Sequence, residues 1–220
     1  MDKNCFVSWS GGKDSCLALY KAMESGYTPQ KLLTMFSLES GISSAHRLDE
    51  NIFRAQSDAI GVESIIGRAE FNDYEKVFVS HVKLFKEQGI DYGVFGDIDL
   101  DEHRQWEEKV CTKAAITAVL PLWKINRKDI VKEFISLGFK AKIVVVNTEL
   151  LDMKFLGQDL SLSLIEEIEN AGADACGENG EYHTVVYDGP IFKKPIELNF
   201  ESEAIAVGEK WVHIKINYNL

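Results

Sequence analysis

The sequence predicts an α/β fold, a doubly wound parallel sheet over residues 1–138 followed by a smaller α+β part over residues 139–220. Two observations carry the first part. Short β-prone apolar runs alternate with stretches whose apolar residues recur at helical spacing, and glycine or proline marks most of the joints between them. A third observation carries the second part: beyond Gly138 the alternation stops, and a Gly-, Glu- and Asn-rich stretch leads to a C-terminal hairpin signal.

In chain order, Cys5-Phe6-Val7-Ser8-Trp9 reads as the first strand and the apolar positions from Cys16 to Ala22 as one face of the first helix. Gly26 and Pro29 break the chain, and residues 31–38 (Lys-Leu-Leu-Thr-Met-Phe-Ser-Leu) read as a buried second strand. After a polar loop at 39–46, Leu48, Ile52, Phe53, Ala55 and Ala59 form one face of a helix that Gly61 ends. Residues 62–67 make a third strand, and Phe78, Val82 and Phe85 stripe a helix stopped by Gly89. A fourth strand starts at Tyr92 and exits through Gly96 and Asp97. Residues 106–118 read as helix and 118–123 as the fifth strand. Asn126 caps a helix with apolar Ile130, Val131, Phe134 and Leu137, closed by Gly138. The second part holds a strand at 141–146, a loop at 147–157, a helix at 160–168, a strand at 182–187, and a hairpin of 204–207 with 211–218 turning at Gly208-Glu209.

Composition narrows the function classes. At 220 residues with 45% apolar content the chain can bury an ordinary core, and it has no long uncharged apolar run that would span a membrane. A net charge of −11 argues against broad nucleic-acid binding, which needs a basic face. Cys5, Cys16, Cys111 and Cys176 are widely spaced, with no Cys-x-x-Cys and no zinc-like grouping with histidine, which fits a reducing cytoplasm. The first strand starts so early that no signal peptide is expected ahead of it.

The most informative stretch is Ser10-Gly11-Gly12-Lys13-Asp14-Ser15, set between the first strand and the first helix. A helix starting there points its unpaired N–H groups and the positive end of its dipole back at the turn. Glycines let a ligand approach the backbone, and the serines and Lys13 add donors and charge, so the expected product is an oxyanion cradle. It is not a Walker A loop, since Val7 stands where a glycine is needed and Asp14 where Ser or Thr follows the lysine. The G-x-G-x-x-G dinucleotide pattern fails too. In a doubly wound sheet ligands gather beyond the carboxyl ends of the strands, which places adenine against Phe36 and Ser37 with Gly96 below it.

A second unusual stretch is Cys176-Gly177-Glu178-Asn179-Gly180-Glu181-Tyr182-His183-Thr184. It reads either as a Gly-rich turn into a strand or as the polar wall of a wet pocket, because so many polar side chains are costly to bury without partners. His46, His81, His103 and His213 read singly as surface or core residues, and the acidic run 97–102 beside His103 reads as a solvated helix start, with metal binding as the alternative.

The Ser-Gly-Gly-Lys-Asp-Ser loop resembles the PP-loop of the ATP pyrophosphatases, and with the second stretch the chain resembles the diphthine–ammonia ligase family over nearly its whole length. The match includes Ser44 and His46 with Gln56, Pro121-Leu122-Trp123, Leu156-Gly157, the Gly-Glu-x-Gly-Glu core from Gly177 to Glu181, and Asp188 with Pro190 and Phe192. That resemblance implies an adenine-nucleotide α-hydrolase-like PP-loop domain with ATP and Mg²⁺, and a C-terminal acceptor-recognition domain. It implies a cytoplasmic amidoligase that adenylates an acceptor carboxylate, releases pyrophosphate and amidates with ammonia, the acceptor being the diphthine side chain of elongation factor 2 or a relative of it. By the same resemblance Ser10, Gly11, Gly12, Lys13, Asp14 and Ser15 hold the phosphates. Asp14 reaches Mg²⁺ and shares catalysis with Glu178, Glu181 and His183, while His46, Asn179 and Thr184 hold the acceptor. Asn179, His183 and Asp97 depart from the family pattern of Gly, Glu and a small residue, which concerns the acceptor and not the ATP site. Two other readings stay open: an adenylating transferase for sulfur, which would need a persulfide cysteine or a basic RNA surface, and a non-catalytic nucleotide sensor. The oligomeric state is open, a homodimer included.

Overall fold

The structure, a computed structural model, describes residues 2–43 and 45–218. Ser44, one of the residues that carry the family resemblance, lies outside them. Five strands form a parallel sheet in the order β3-β2-β1-β4-β5: β1 (Lys3–Ser8), β2 (Tyr27–Ser37), β3 (Glu63–Ala69), β4 (Tyr92–Val94) and β5 (Thr117–Val119). The order reverses at β1, between β2 on one side and β4 on the other, which is where a doubly wound sheet opens its ligand crevice.

Alternation along the strands assigns the faces. Cys5 and Val7 of β1 pack with α1 (Lys13–Glu24), α2 (Glu50–Ile60) and α5 (Arg127–Ser136). Phe6, Leu33 and Met35 face the other way, against α3 (Tyr74–Glu87) and α4 (Asp101–Thr112). Phe6 sits at the centre of that layer, with Phe78, Phe85 and Phe95 rings at 5.5–6.1 Å. A second sheet, antiparallel in the order β7-β6-β9-β8, is built from β6 (Lys140–Asn147), β7 (Tyr182–Asp188), β8 (Asn199–Val207) and β9 (Trp211–Asn217), with α6 (Leu162–Asn170) beside it. One continuous apolar cluster runs from β1, α1, α2 and α5 into β6, β7 and α6.

Several element boundaries differ from the sequence expectation, β8 beginning at Asn199 instead of 204 among them, and three have a local cause. β2 starts at Tyr27, ahead of Pro29; the register against β1 shifts there, and β3 pairs only from Lys31 onward, so the missing proline N–H leaves no ladder position unfilled. α4 starts at Asp101 and not at residue 106, because its first turn is polar: Asp101 and Glu102 sit at the positive end of the dipole, and the apolar stripe begins a turn later. It ends at Thr112, where the chain reverses through Ala115 (φ 53°) and Ile116 N–H returns to Cys111 O at 3.0 Å, leaving β5 three residues long. No helix among the described residues is long and apolar enough to cross a membrane.

Gln56 of α2 locks the two sheets together. It is fully buried, accepts the Trp9 indole N–H at 2.8 Å, and donates to Gly11 O at 2.9 Å and Val186 O at 2.8 Å. Gln56→Leu would leave three buried polar groups without this partner, so urea denaturation should show a loss of about 3 kcal/mol with little change in the denaturant slope.

Candidate active site

The turn after β1 is shaped by what surrounds it. Gly11 takes φ 75°, and a Cβ there would meet Gln56 Oε1 at 2.8 Å. A Cβ on Gly12 would fall 2.3 Å from His46 Cε1. Gly96, just past β4, lies so close to α1 that a Cβ would be 2.9 Å from the backbone of Asp14 and Ser15. The first helical bond of α1 is Cys16 N–H to Gly12 O, and Gly12 supplies no side-chain cap. The Asp14 and Ser15 N–H groups therefore have no helical acceptor and face the turn. Lys13 N–H is held by Thr184 Oγ1 of β7 at 3.1 Å, and Val186 N–H donates to Gly11 O at 2.9 Å.

These groups form the floor of a cavity of about 390 Å³ at the sheet's switch point. Of the expected site residues, Ser10, Lys13, Asp14, Ser15, His46, Gly96, Glu178, His183 and Thr184 line it, and Gly11 and Gly12 support it from behind. Phe36 and Ser37 do not line it. The Phe36 ring is turned into the core against Phe53 at 5.5 Å, and Leu33, Thr34 and Met35 supply the β2 wall instead. The fit of the Phe36 ring against Phe53 of α2 decides that, and position at the carboxyl end alone does not.

The loop at 174–181 sorts its carboxylates. Asp174 accepts Cys176 N–H and Glu178 N–H; Glu181 accepts Asp174 N–H, Asn179 N–H and the Asn179 amide at 3.0–3.1 Å. Glu181 is 4% exposed and braces the loop, and Asn179 is part of that brace rather than of the cavity wall. Arg127, at the start of α5, forks onto Asp99 with two bonds at 2.7 Å and reaches Asp174 at 2.8 Å and the Asn179 Oδ1 at 2.9 Å, tying the loop after β4 to this one. Glu178 makes no side-chain hydrogen bond among the described residues and turns into the cavity.

Charge is unevenly spread inside. Lys13 is 4% exposed; burial opposes its charge, but Asp14 at 2.9 Å, with Glu178 nearby, outweighs that and holds it firmly protonated. Burial, then the Asp14 carboxylate, pushes Glu178 up to about 7. His46 is lowered by burial and donates from Nδ1 to Thr184 O at 2.7 Å, since a carbonyl can only accept. Its ring lies 4.9 Å from that of His183, which stacks on Trp211 at 5.9 Å and is held well below the usual histidine range by burial and by His46. Burial thus favours the neutral form of both imidazoles. On the α4 side, His103 donates from Nδ1 to Asp97 Oδ1 at 2.7 Å, and both line the cavity. The sequence reading placed His103 on a solvated helix start; the pair forms because Asp97 is outside the helix, where no periodicity links it to His103. Only Glu107, one turn after His103 and buried beneath Asp97, carried a helical signal.

A Gly-bearing turn between strand and helix at the switch point of a doubly wound parallel sheet defines an α/β protein with its cavity at the carboxyl ends of the strands. Comparison with known proteins is more specific. The diphthamide synthase N-terminal domain matches residues 3–118 and the diphthamide synthase C-terminal domain residues 126–219. Among relatives, a diphthine–ammonia ligase of Mus musculus is 30% identical over 223 residues, 89% of this chain and 82% of that protein. The Homo sapiens protein of that name is 28% identical over 214 residues, 85% of this chain and 79% of its own length. A solved chain described as a predicted subunit of a tRNA methyltransferase from Methanocaldococcus jannaschii superposes with a TM-score of 0.46 at 16% identity, covering 88% of this chain and 100% of that one. The chain belongs to the diphthamide synthase family, and it is an enzyme, a ligase that forms a C–N bond.

Glu178 makes a pH signature. Its folded pKa of about 7 lies above the ordinary 4.5, so its contribution favours folding fully below pH 4.5 and is lost as pH rises through 7. Chemical denaturation of Glu178→Gln should show that decline flattened, the variant gaining on the order of 2 kcal/mol over wild type by pH 8.

Proposed function

We propose that the enzyme is an ATP-dependent amidoligase that adenylates an acceptor carboxylate and then amidates it with ammonia. The observation that carries this reading is the shared cavity: the phosphate cradle and the one carboxylate of the 174–181 loop that its own loop leaves unbonded face the same 390 Å³ space. An acceptor carboxylate entering beside Glu178 meets the α-phosphorus of a nucleotide whose outer phosphates lie on the Asp14 and Ser15 N–H groups, the Ser10 and Ser15 hydroxyls and Lys13. Attack forms the acyl–phosphate bond and breaks the α–β phosphoanhydride bond, and the departing pyrophosphate gathers charge where donors are already arranged. Ammonia then displaces AMP.

Mg²⁺ fits the donor set in part. Asp14, Cys176 and Glu178 bring ligand atoms within 4.8 Å of one another. The Cys176 thiol is soft and its pKa is raised by burial, so it is a poor partner for a hard cation. Asp14 sits among the phosphate donors and is the residue that would hold the ion, which when bound neutralises phosphate charge. The relatives' names supply diphthine as the acceptor to test first.

With diphthine-bearing elongation factor 2, ATP and ammonium, the purified enzyme should release AMP and pyrophosphate in equal amounts by chromatographic assay. Formation of ADP and phosphate instead would overturn the reading. Gly12→Ala should weaken ATP binding by at least about tenfold in calorimetry, because the new methyl collides with His46 and Thr184 and pushes both the turn and the cavity-lining His46 out of place.

A further inference from the structure

We propose that His103, oriented by Asp97, is the general base that takes a proton from the nitrogen nucleophile, and that the α4 wall of the cavity is where ammonium is received. The inference rests on the amidoligase reading above and adds a residue and a direction of entry to it.

The geometry is that of an oriented base. Asp97 Oδ1 lies 2.7 Å from His103 Nδ1, and a carboxylate can only accept, so Nδ1 carries the hydrogen and Nε2 keeps its lone pair. Both side chains line the cavity that holds the phosphate loop and Glu178. The anchor is itself backed: Glu107 is 2% exposed, and its Oε2 has no hydrogen-bond partner. Burial, with Asp97 beside it, pushes Glu107 up to about 11, so it stays protonated and adds no second charge under Asp97. Burial works to raise Asp97, and the hydrogen bond from His103, with the protonated Glu107 carboxyl beside it, overcomes that and holds it below its ordinary value. The hydrogen bond to Asp97 raises His103, which makes it a stronger base than a free imidazole.

The groups facing this pair select a cation. The negative charge comes from Asp97 of the loop after β4, Glu102 of α4 and Glu178 of the 174–181 loop, while Glu107 of α4 and Tyr74 of α3 face the pair as neutral groups. The nearby cations are already committed, Arg127 to Asp99 and Asp174, and Lys124 to Asp101 at 3.5 Å. The phosphate side is the reverse, with Lys13 and backbone N–H donors. One cavity thus has an anion-binding floor and a cation-attracting wall. The nucleophile of an amidation is a cation near neutral pH and must shed a proton before its lone pair can act. In the step itself the N–C bond forms and the C–O bond to AMP breaks. Ammonium gives up two protons overall, and His103 Nε2 accepts one at a time and returns each to water.

The test compares ammonium chloride with hydroxylamine, which is unprotonated near neutral pH, using diphthine-bearing elongation factor 2 as acceptor. In His103→Gln, ammonium-dependent amide formation should fall about 100-fold while hydroxamate formation falls less than about fivefold. Asp97→Asn should lower the plateau and move the acidic limb of kcat/KM to lower pH, since the carboxylate that raises His103 is gone; a merely structural role would not move that limb. Equal losses with both nucleophiles, or an unmoved limb in Asp97→Asn, overturns the proposal and leaves the amidoligase reading in place. A wild-type enzyme that forms no AMP with this acceptor overturns that reading, and the inference with it.

Discussion

The carbonyl of Gly11 is the point on which the rest depends. It accepts from Val186 N–H and from the Gln56 amide, both at 2.9 Å, and two residues later Lys13 N–H is held by Thr184 Oγ1. The phosphate loop is therefore not a property of the parallel sheet alone. Strand β7 closes over it from the second sheet, and α2 braces both through a glutamine with no exposed surface. A loop of two glycines left to itself would populate many conformations. Fixed on both sides, it presents the Asp14 and Ser15 N–H groups in one arrangement, which is what the proposed stabilisation of a leaving pyrophosphate requires.

The same clamp brings the two polar stretches of the chain together. Thr184 holds the loop with its hydroxyl and His46 with its carbonyl, so the residues just before it, from Glu178 onward, are delivered to the cavity as a consequence of loop anchoring. Arg127 fixes the far end of that delivery, and Asp99 follows Asp97 by two residues, so the position of the α4 wall is coupled to the position of Glu178.

What could be read in the chain beforehand was whatever is local. Strand–turn–helix order, the glycine stops and the Asn126 cap are set by near neighbours, and periodicity exposes them. The turn from Ser10 to Ser15 belongs here too, because its place between strand and helix is set by consecutive residues. Phe36 could not be placed from position alone, since Leu33, Thr34 and Met35 from both faces of β2 reach the cavity and only the fit against Phe53 turns the Phe36 ring into the core. Glu178 and Glu181 were equally good candidates on paper. Gly177 at φ 73° and Gly180 at φ 85° reverse the chain between and around them, and the reversal aims one carboxylate outward and folds the other onto three N–H donors. The Asp97–His103 pair joins a loop to a helix, where no repeat applies.

The departures from the family pattern are seated rather than decorative. Asn179 is shared by Glu181 and Arg127, Asp97 holds His103, and His183 is packed between His46 and Trp211. The last of these bears most on the acceptor. A carboxylate at 183 would be buried against the His46 ring and would have to draw a proton onto it to remain charged. The imidazole asks for no such partner: burial favours the neutral form of both rings, and this wall presents flat, polarisable surface where a glutamate would present charge. Negative charge in the cavity is then confined to Asp14, Glu178 and Asp97, away from the His46–His183 face. In the proposed reaction an acceptor seated on that face is selected by shape and stacking, and positive charge on the acceptor is met by the Glu178 carboxylate.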